Sequence, residues 1–206
     1  MMNILNNTTD VKLSKIISKV IDQKRIDKEE GLKLYNEASI PTLGILANLV
    51  RERKNGNKTY FNKNIHIEPT NMCVFDCKFC AYSRKLSKKE DAWQFSIDEM
   101  VEKVKAYSDK DITEVHLVGG VHPKMGLYYF IELIEKIRKI RPDIHIKAFT
   151  AVELEYMCRK AKVSYEKGLK LLKDAGQNSL PGGGAEIFDN EVRNKICADK
   201  CNSKTW

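Results

Sequence analysis

The sequence predicts an α/β protein, parallel strands alternating with helices behind a helical N-terminal region, and three observations carry that expectation. Short β-rich runs alternate with amphipathic helical runs from Thr59 onward. The stretches between successive strands are long enough for right-handed crossover helices. The chemically unusual residues all fall just after strands, where ligands sit in parallel sheets and barrels.

Residues 10–55 form the helical part. Val11, Ile16, Ile17, Val20 and Ile21 recur near the helical period, followed by Leu32, Leu34 and Tyr35, then by Leu43, Leu46, Ala47 and Val50. Asp27 with Glu30 has capping-box spacing, and Pro41 stands where a first helical turn tolerates it. Lys54-Asn55-Gly56-Asn57 closes the region, so the expected domains are residues 1–58 and 59–206.

After Thr59 a β-rich run reaches Ile65-His66-Ile67 and stops at Pro69-Thr70-Asn71, where a cysteine loop opens. Ser96 and Glu99 make a second capping box, and Ile97, Met100, Val101 and Val104 give the following helix its apolar stripe. Val115-His116-Leu117-Val118 is a strand ended by Gly119-Gly120. Leu127, Phe130, Ile131 and Ile134 mark a helix broken by Pro142, and Ile144-His145-Ile146-Lys147-Ala148-Phe149 is the next strand. One more helix, lined by Tyr165, Gly168, Leu169, Leu172 and Ala175, leads to Leu180-Pro181-Gly182-Gly183-Gly184. A closed TIM-type barrel of eight units takes about 250 residues. Residues 59–206 hold roughly four units, so the expected fold is a partial (βα) barrel.

Composition excludes several classes. With 42% hydrophobic and 31% charged residues the chain is neither disordered nor fibrous. The net charge of +8 is spread along helices, as in Lys167, Lys170 and Lys173 against Glu166 and Asp174, which reads as solvated faces and argues against nucleic-acid binding. Residues 1–24 contain no apolar leader segment, and no run approaches the ~18 apolar residues of a membrane span. The expectation is a cytoplasmic protein with no membrane span, in which the six cysteines are reduced.

Cys73-x3-Cys77-x2-Cys80 puts three thiolates on one loop after a strand. Three ligands on a [4Fe–4S] cube leave one iron open, and that iron can chelate the amino and carboxylate groups of S-adenosylmethionine; four-cysteine sites are the usual electron carriers. A structural zinc would need a fourth ligand nearby, for which His66 is the candidate, so a zinc-stabilised binding module stays open, as do three unrelated buried thiols. Cys158 is isolated, and Cys197 and Cys201 stand four apart on a predicted helix; these three read as packing residues.

The segments EPTNMCVFDCKFCAY at 68–82, EVHLVGGVHP at 114–123, KAFTAVE at 147–153 and LPGGGAEIF at 180–188 resemble, in that order, the aminofutalosine synthase family of radical S-adenosylmethionine enzymes in the futalosine route to menaquinone. The likeness runs from about Tyr60 to Trp206. It implies a partial radical-SAM barrel in which Cys73, Cys77 and Cys80 hold the cluster and S-adenosylmethionine is consumed as co-substrate. The implied reaction is addition of the 5′-deoxyadenosyl radical to 3-[(1-carboxyvinyl)oxy]benzoate, giving 6-amino-6-deoxyfutalosine. A low-potential electron donor such as flavodoxin or ferredoxin and a small anionic substrate are the implied partners. Related families keep other readings open: cyclic dehypoxanthinylfutalosine synthase, a deazaflavin-synthase type, or an inactive fragment.

The resemblance gives Gly119 and Gly120 the role of admitting the methionine amino group, Glu153 the ribose hydroxyls, and Phe79 and Tyr82 the adenine. Gly182, Gly183 and Gly184 are implied to permit close backbone approach to a nucleoside or carboxylate. From the residues alone, the glycine pair equally suits a tight turn, Thr150 with Glu153 a capping box, and the two aromatics a core. His122 and Arg84 read either as carboxylate partners or as turn and surface residues. Gln177 departs from the family pattern, which has an apolar residue there, and the second half of the barrel is missing.

Overall fold

The computed structural model describes residues 9–87 and 90–206, so the reading of residues 1–24 as leaderless falls partly outside the described residues. The chain divides between Phe61 and Asn62 into two compact units.

The first unit is three helices: α1 (Val11–Ile21), α2 (Lys28–Glu37) and α3 (Ile40–Asn55). Each begins at a side-chain cap. Asp10 accepts from the backbone N–H groups of Lys12 and Leu13, the Asp27–Glu30 capping box is complete, and Ser39 caps α3 ahead of Pro41. Gly56 ends α3 at φ 59°, a left-handed value that glycine adopts without strain. The core is small, with Leu13, Ile16, Ile17, Leu34 and Leu46 buried together.

The second unit holds strands β1 (Asn64–Ile67), β2 (Glu114–Leu117) and β3 (His145–Ala148), paired in parallel in the order β1-β2-β3. The crossovers are α4 (Ile97–Lys105) between β1 and β2, and α5 (Leu127–Ile140) between β2 and β3; α6 (Ala151–Ala161), α7 (Tyr165–Ala175) and α8 (Asn190–Ile196) follow. Register makes the sheet two-faced. Ile65, Val115 and Ile146 form one row and Ile67, Leu117 and Ala148 another, all buried in the core with Met100, Val104, Leu133, Ile134 and Ile137. The intervening rows are polar: Asn64, Glu114 and His145, then His66, His116 and Lys147. On that face the His66 and His116 rings stack at 4.9 Å, and Lys147 Nζ lies 2.9 Å from Glu114 Oε1.

A fourth strand position is started. Ser179 bridges Lys147 in parallel, and the Ala148 N–H donates to Ser179 O at 3.0 Å. Gln177, the departure from the family pattern, has a use here: its Nε2 donates to Ala148 O at 2.7 Å and Ser179 O at 3.2 Å, pinning the turn out of α7 to the sheet. The result is a partial parallel α/β fold, as expected. One correction concerns Cys197 and Cys201, which do not share a helix. α8 stops at Ile196, Cys197 is its C-cap with non-helical backbone (φ −154°, ψ 55°), and Arg193 draws the following turn back by donating to Cys201 O at 2.6 Å. No helix among the described residues is long and apolar enough to cross a membrane.

Candidate cluster and cofactor site

The cysteine loop leaves the end of β1 through two fully buried polar residues, Thr70 and Asn71, 0% and 1% exposed. Both spend their hydrogen-bonding groups on the returning end of the same loop. Thr70 Oγ1 donates to Trp93 O at 2.6 Å; Asn71 Nδ2 donates to Asp91 O at 2.8 Å, and its Oδ1 accepts from Trp93 N at 2.9 Å. Leaving such groups unpaired would cost about 1–3 kcal/mol each. Within the loop, the Cys73 N–H donates to Arg84 O and the Arg84 N–H to Asn71 O. The Arg84 guanidinium binds the carbonyls of Ala81, Tyr82 and Ser83, so its role is to close the loop.

The loop lies directly on the turn after β2. Gly120 N donates to Thr70 O at 2.7 Å and Val74 N to Val121 O at 2.9 Å. A Cβ on Gly119 would stand 2.9 Å from Thr70 O, and one on Gly120 only 2.3 Å from Met72 O. Glycine is required at both positions because the cysteine loop's own backbone fills that space. The turn residue His122 is buried, and its Nδ1 accepts from Lys124 N.

Between these elements lies a cavity of about 200 Å³, lined by Cys73, Cys77 and Cys80 on one side and by Gly119, Gly120 and Glu153 on another. Phe79, Tyr82, Gly184, Glu186 and Lys200 complete its wall. The three cysteines, Phe79, Tyr82, Gly119, Gly120, Glu153 and Gly184 thus share one cavity, whereas Arg84, His122, Gly182 and Gly183 do not line it. All three cysteines are free thiols. Burial pushes the Cys77 thiol up to about 11 and also raises that of Cys73, which two backbone N–H groups, from Phe75 and Val121, partly offset by donating to its sulfur at 3.4 Å. N–H donors to sulfur and a half-buried thiol set suit a metal–thiolate cluster. Among the described residues no three His, Cys, Asp or Glu side chains stand close enough to share a single ion.

Glu153 is 8% exposed and completes the capping box of α6 with Thr150. Its Oε1 also accepts from Gly119 N at 3.2 Å, tying the turn after β2 to α6. Burial drives its carboxyl up to about 7. Tyr82 donates from its hydroxyl to Thr70 O at 3.2 Å and meets Trp93 edge-on; burial raises its phenol. Phe79 is nearly half exposed and lines the cavity. Gly183 and Gly184 pass over the start of α6, where a Cβ on Gly184 would meet Val152 Cγ2 at 2.7 Å. Sequence reasoning assigned no role to Lys200 or Arg193, and it took Glu186 only as part of the 180–188 segment; the chain's return after α7 brings Glu186 and Lys200 to the cavity wall.

The sequence profile of the Radical SAM superfamily matches residues 67–206. Aminodeoxyfutalosine synthase of Thermus thermophilus is 43% identical over 197 residues, which is 96% of this chain and 53% of that protein. The 5-amino-6-(D-ribitylamino)uracil–L-tyrosine 4-hydroxyphenyl transferase of Methanothermobacter thermautotrophicus is 33% identical over 207 residues, covering 100% of this chain and 54% of that one. Among solved structures, methylornithine synthase superposes with a TM-score of 0.63 at 20% identity, over 88% of this chain and 50% of that one, a likeness of fold. The chain spans about half the length of the curated relatives it matches. Members of the matched superfamily use a [4Fe–4S] cluster and S-adenosylmethionine. The cysteine loop, the glycine turn beneath it and the profile that spans both place this chain in the radical SAM superfamily.

Proposed function

We propose that this chain is the cluster-bearing part of an aminodeoxyfutalosine synthase, with residues 59–206 as the first half of its barrel. The observation that carries the reading is one cavity faced by Cys73, Cys77 and Cys80, by the turn after β2 and by the start of α6. Support for this particular reaction comes from the 43% identity to the Thermus protein. When bound, the cluster would pass one electron to the sulfonium of S-adenosylmethionine, whose S–C5′ bond would break to methionine and a 5′-deoxyadenosyl radical for addition to 3-[(1-carboxyvinyl)oxy]benzoate. Cys73, Cys77 and Cys80 are the cluster ligands. Gly119 and Gly120 hold the loop backbone down and leave the cavity floor free of side chains. Glu153, anchored by Thr150 and Gly119, presents its carboxyl edge to ribose hydroxyls. Phe79 and Tyr82 offer ring surface to a base. A low-potential donor of flavodoxin or ferredoxin type supplies the electron, and the setting is cytoplasmic.

Full-length protein, reconstituted anaerobically and given S-adenosylmethionine, reductant and the benzoate enol ether, is expected to form 6-amino-6-deoxyfutalosine, detected by mass spectrometry. Absence of that product from a loaded enzyme overturns the assignment. The 33% identity to the tyrosine 4-hydroxyphenyl transferase supports a second reading, in which tyrosine and the ribitylaminouracil are consumed instead. Parallel incubation with each substrate set separates the two.

A further inference from the structure

The segment after Gly184 folds back onto the cysteine loop. Lys78 N donates to Ile196 O at 2.9 Å and Asp76 N to Asp199 Oδ2 at 3.3 Å. This return sets Lys200 in the cavity wall beside the thiols, with Nζ 2.8 Å from Glu186 Oε1 and 5.3 Å from the centre of the Phe79 ring. The Lys200 side chain is only 11% exposed, so its charge acts through a medium less polar than water.

The pair is held from behind. Glu186 sits at φ 58°, in the left-handed region that a glutamate seldom occupies and keeps only where its surroundings impose it. Arg193 imposes it. This arginine is 3% exposed, and its guanidinium donates to the carbonyls of Ala185 and Ile187, on either side of Glu186, and to that of Cys201, next to Lys200. One buried side chain thus fixes the backbone of both partners.

We propose that Lys200 is a charge-balancing residue for the cluster held by Cys73, Cys77 and Cys80: its ammonium, moderated by Glu186 and positioned by Arg193, favours the reduced cluster. The inference rests on the cluster reading above. Reduction moves one electron from an external low-potential donor, which is oxidised, onto a centre already negative from three thiolates, and no proton accompanies it. A nearby cation lowers the cost of that added charge, and net charge around a cluster is one of the levers that set its potential. Glu186 opposes the effect, so the two residues carry opposite signs.

The test is an EPR-monitored redox titration of the full-length protein, reconstituted with iron and sulfide and poised with dithionite and mediators. Lys200→Met is expected to shift the midpoint negative by about 59 mV, a tenfold change in the one-electron equilibrium. Glu186→Gln is expected to shift it positive, and Lys200→Arg to leave it close to the parent. Loaded variants with unchanged midpoints, or with shifts of the same sign at both positions, overturn the inference. Should Lys200→Met fail to fold, Glu186→Gln decides alone: a positive shift supports the role and any other result rejects it. A parent protein that retains no [4Fe–4S] cluster overturns the cluster reading itself, which is a different failure.

Discussion

The helical unit and the cysteine loop of the second unit are held in opposite ways. α1 to α3 are each started by a local side-chain cap and share a core of five buried side chains, so their structure comes from neighbours in sequence and from exchangeable apolar volume. Among the described residues, the cysteine loop has no helix or strand of its own between β1 and α4. Its shape comes from Thr70 and Asn71, buried and bonded across the loop, and from backbone pressed on Gly119 and Gly120. A helix held by caps tolerates substitution by degrees; a loop held by backbone contact fails at a single atom.

That contrast is sharpest at the thiols. Cys77→Ser is expected to abolish cluster uptake, whereas Cys158→Ser, at a thiol buried in α6, is expected to retain it; iron and sulfide analysis after anaerobic reconstitution reads both, and equal iron in the two variants would remove Cys77 from the ligand set. Next comes Gly120→Ala. Its methyl group would meet Met72 O at 2.3 Å, so the loop must lift, with an expected loss of most of the cluster and of about 1–3 kcal/mol in denaturant unfolding. A variant that unfolds and loads like the parent would show that the contact is not needed.

A pH series probes the same junction more gently. Folding raises the carboxyl of Glu153 from an ordinary 4.5 to about 7. The folded protein therefore keeps this proton where the unfolded chain has released it. The contribution is complete below pH 4.5, declines as pH rises, and is lost above about 7, amounting to about 3 kcal/mol at most. Glu153→Gln is expected to flatten that slope, and an unchanged slope would assign it to another group. The smallest effect is expected in the helical unit: Asp27→Ala removes half of a capping box, costing about 1 kcal/mol by thermal melting with no change in bound iron.

Local rules made much of this molecule readable in advance. The capping boxes at Asp27, Ser96 and Thr150 are all present; β1 and β3 fall within the β-rich runs, shortened to four residues each, and β2 lies one residue earlier than the expected Val115–Val118 run. The cysteine spacing and the glycine pair marked the cavity because their chemistry is written in adjacent residues. What stayed hidden depends on chain return. Lys200 and Glu186 look like surface charges until Arg193 folds the segment between them against a loop more than a hundred residues earlier. The same return misled the helical reading of Cys197 and Cys201, since a four-residue spacing cannot reveal that a buried arginine has already turned the chain.

The two-faced sheet has a consequence of its own. With greasy rows turned to the helices, the imidazoles of His66 and His116 and the ion pair of Glu114 with Lys147 line the reverse side. A barrel that continued from these strands would turn imidazoles and an ion pair, rather than hydrocarbon alone, toward its axis, and each such group would there need a hydrogen-bonding partner.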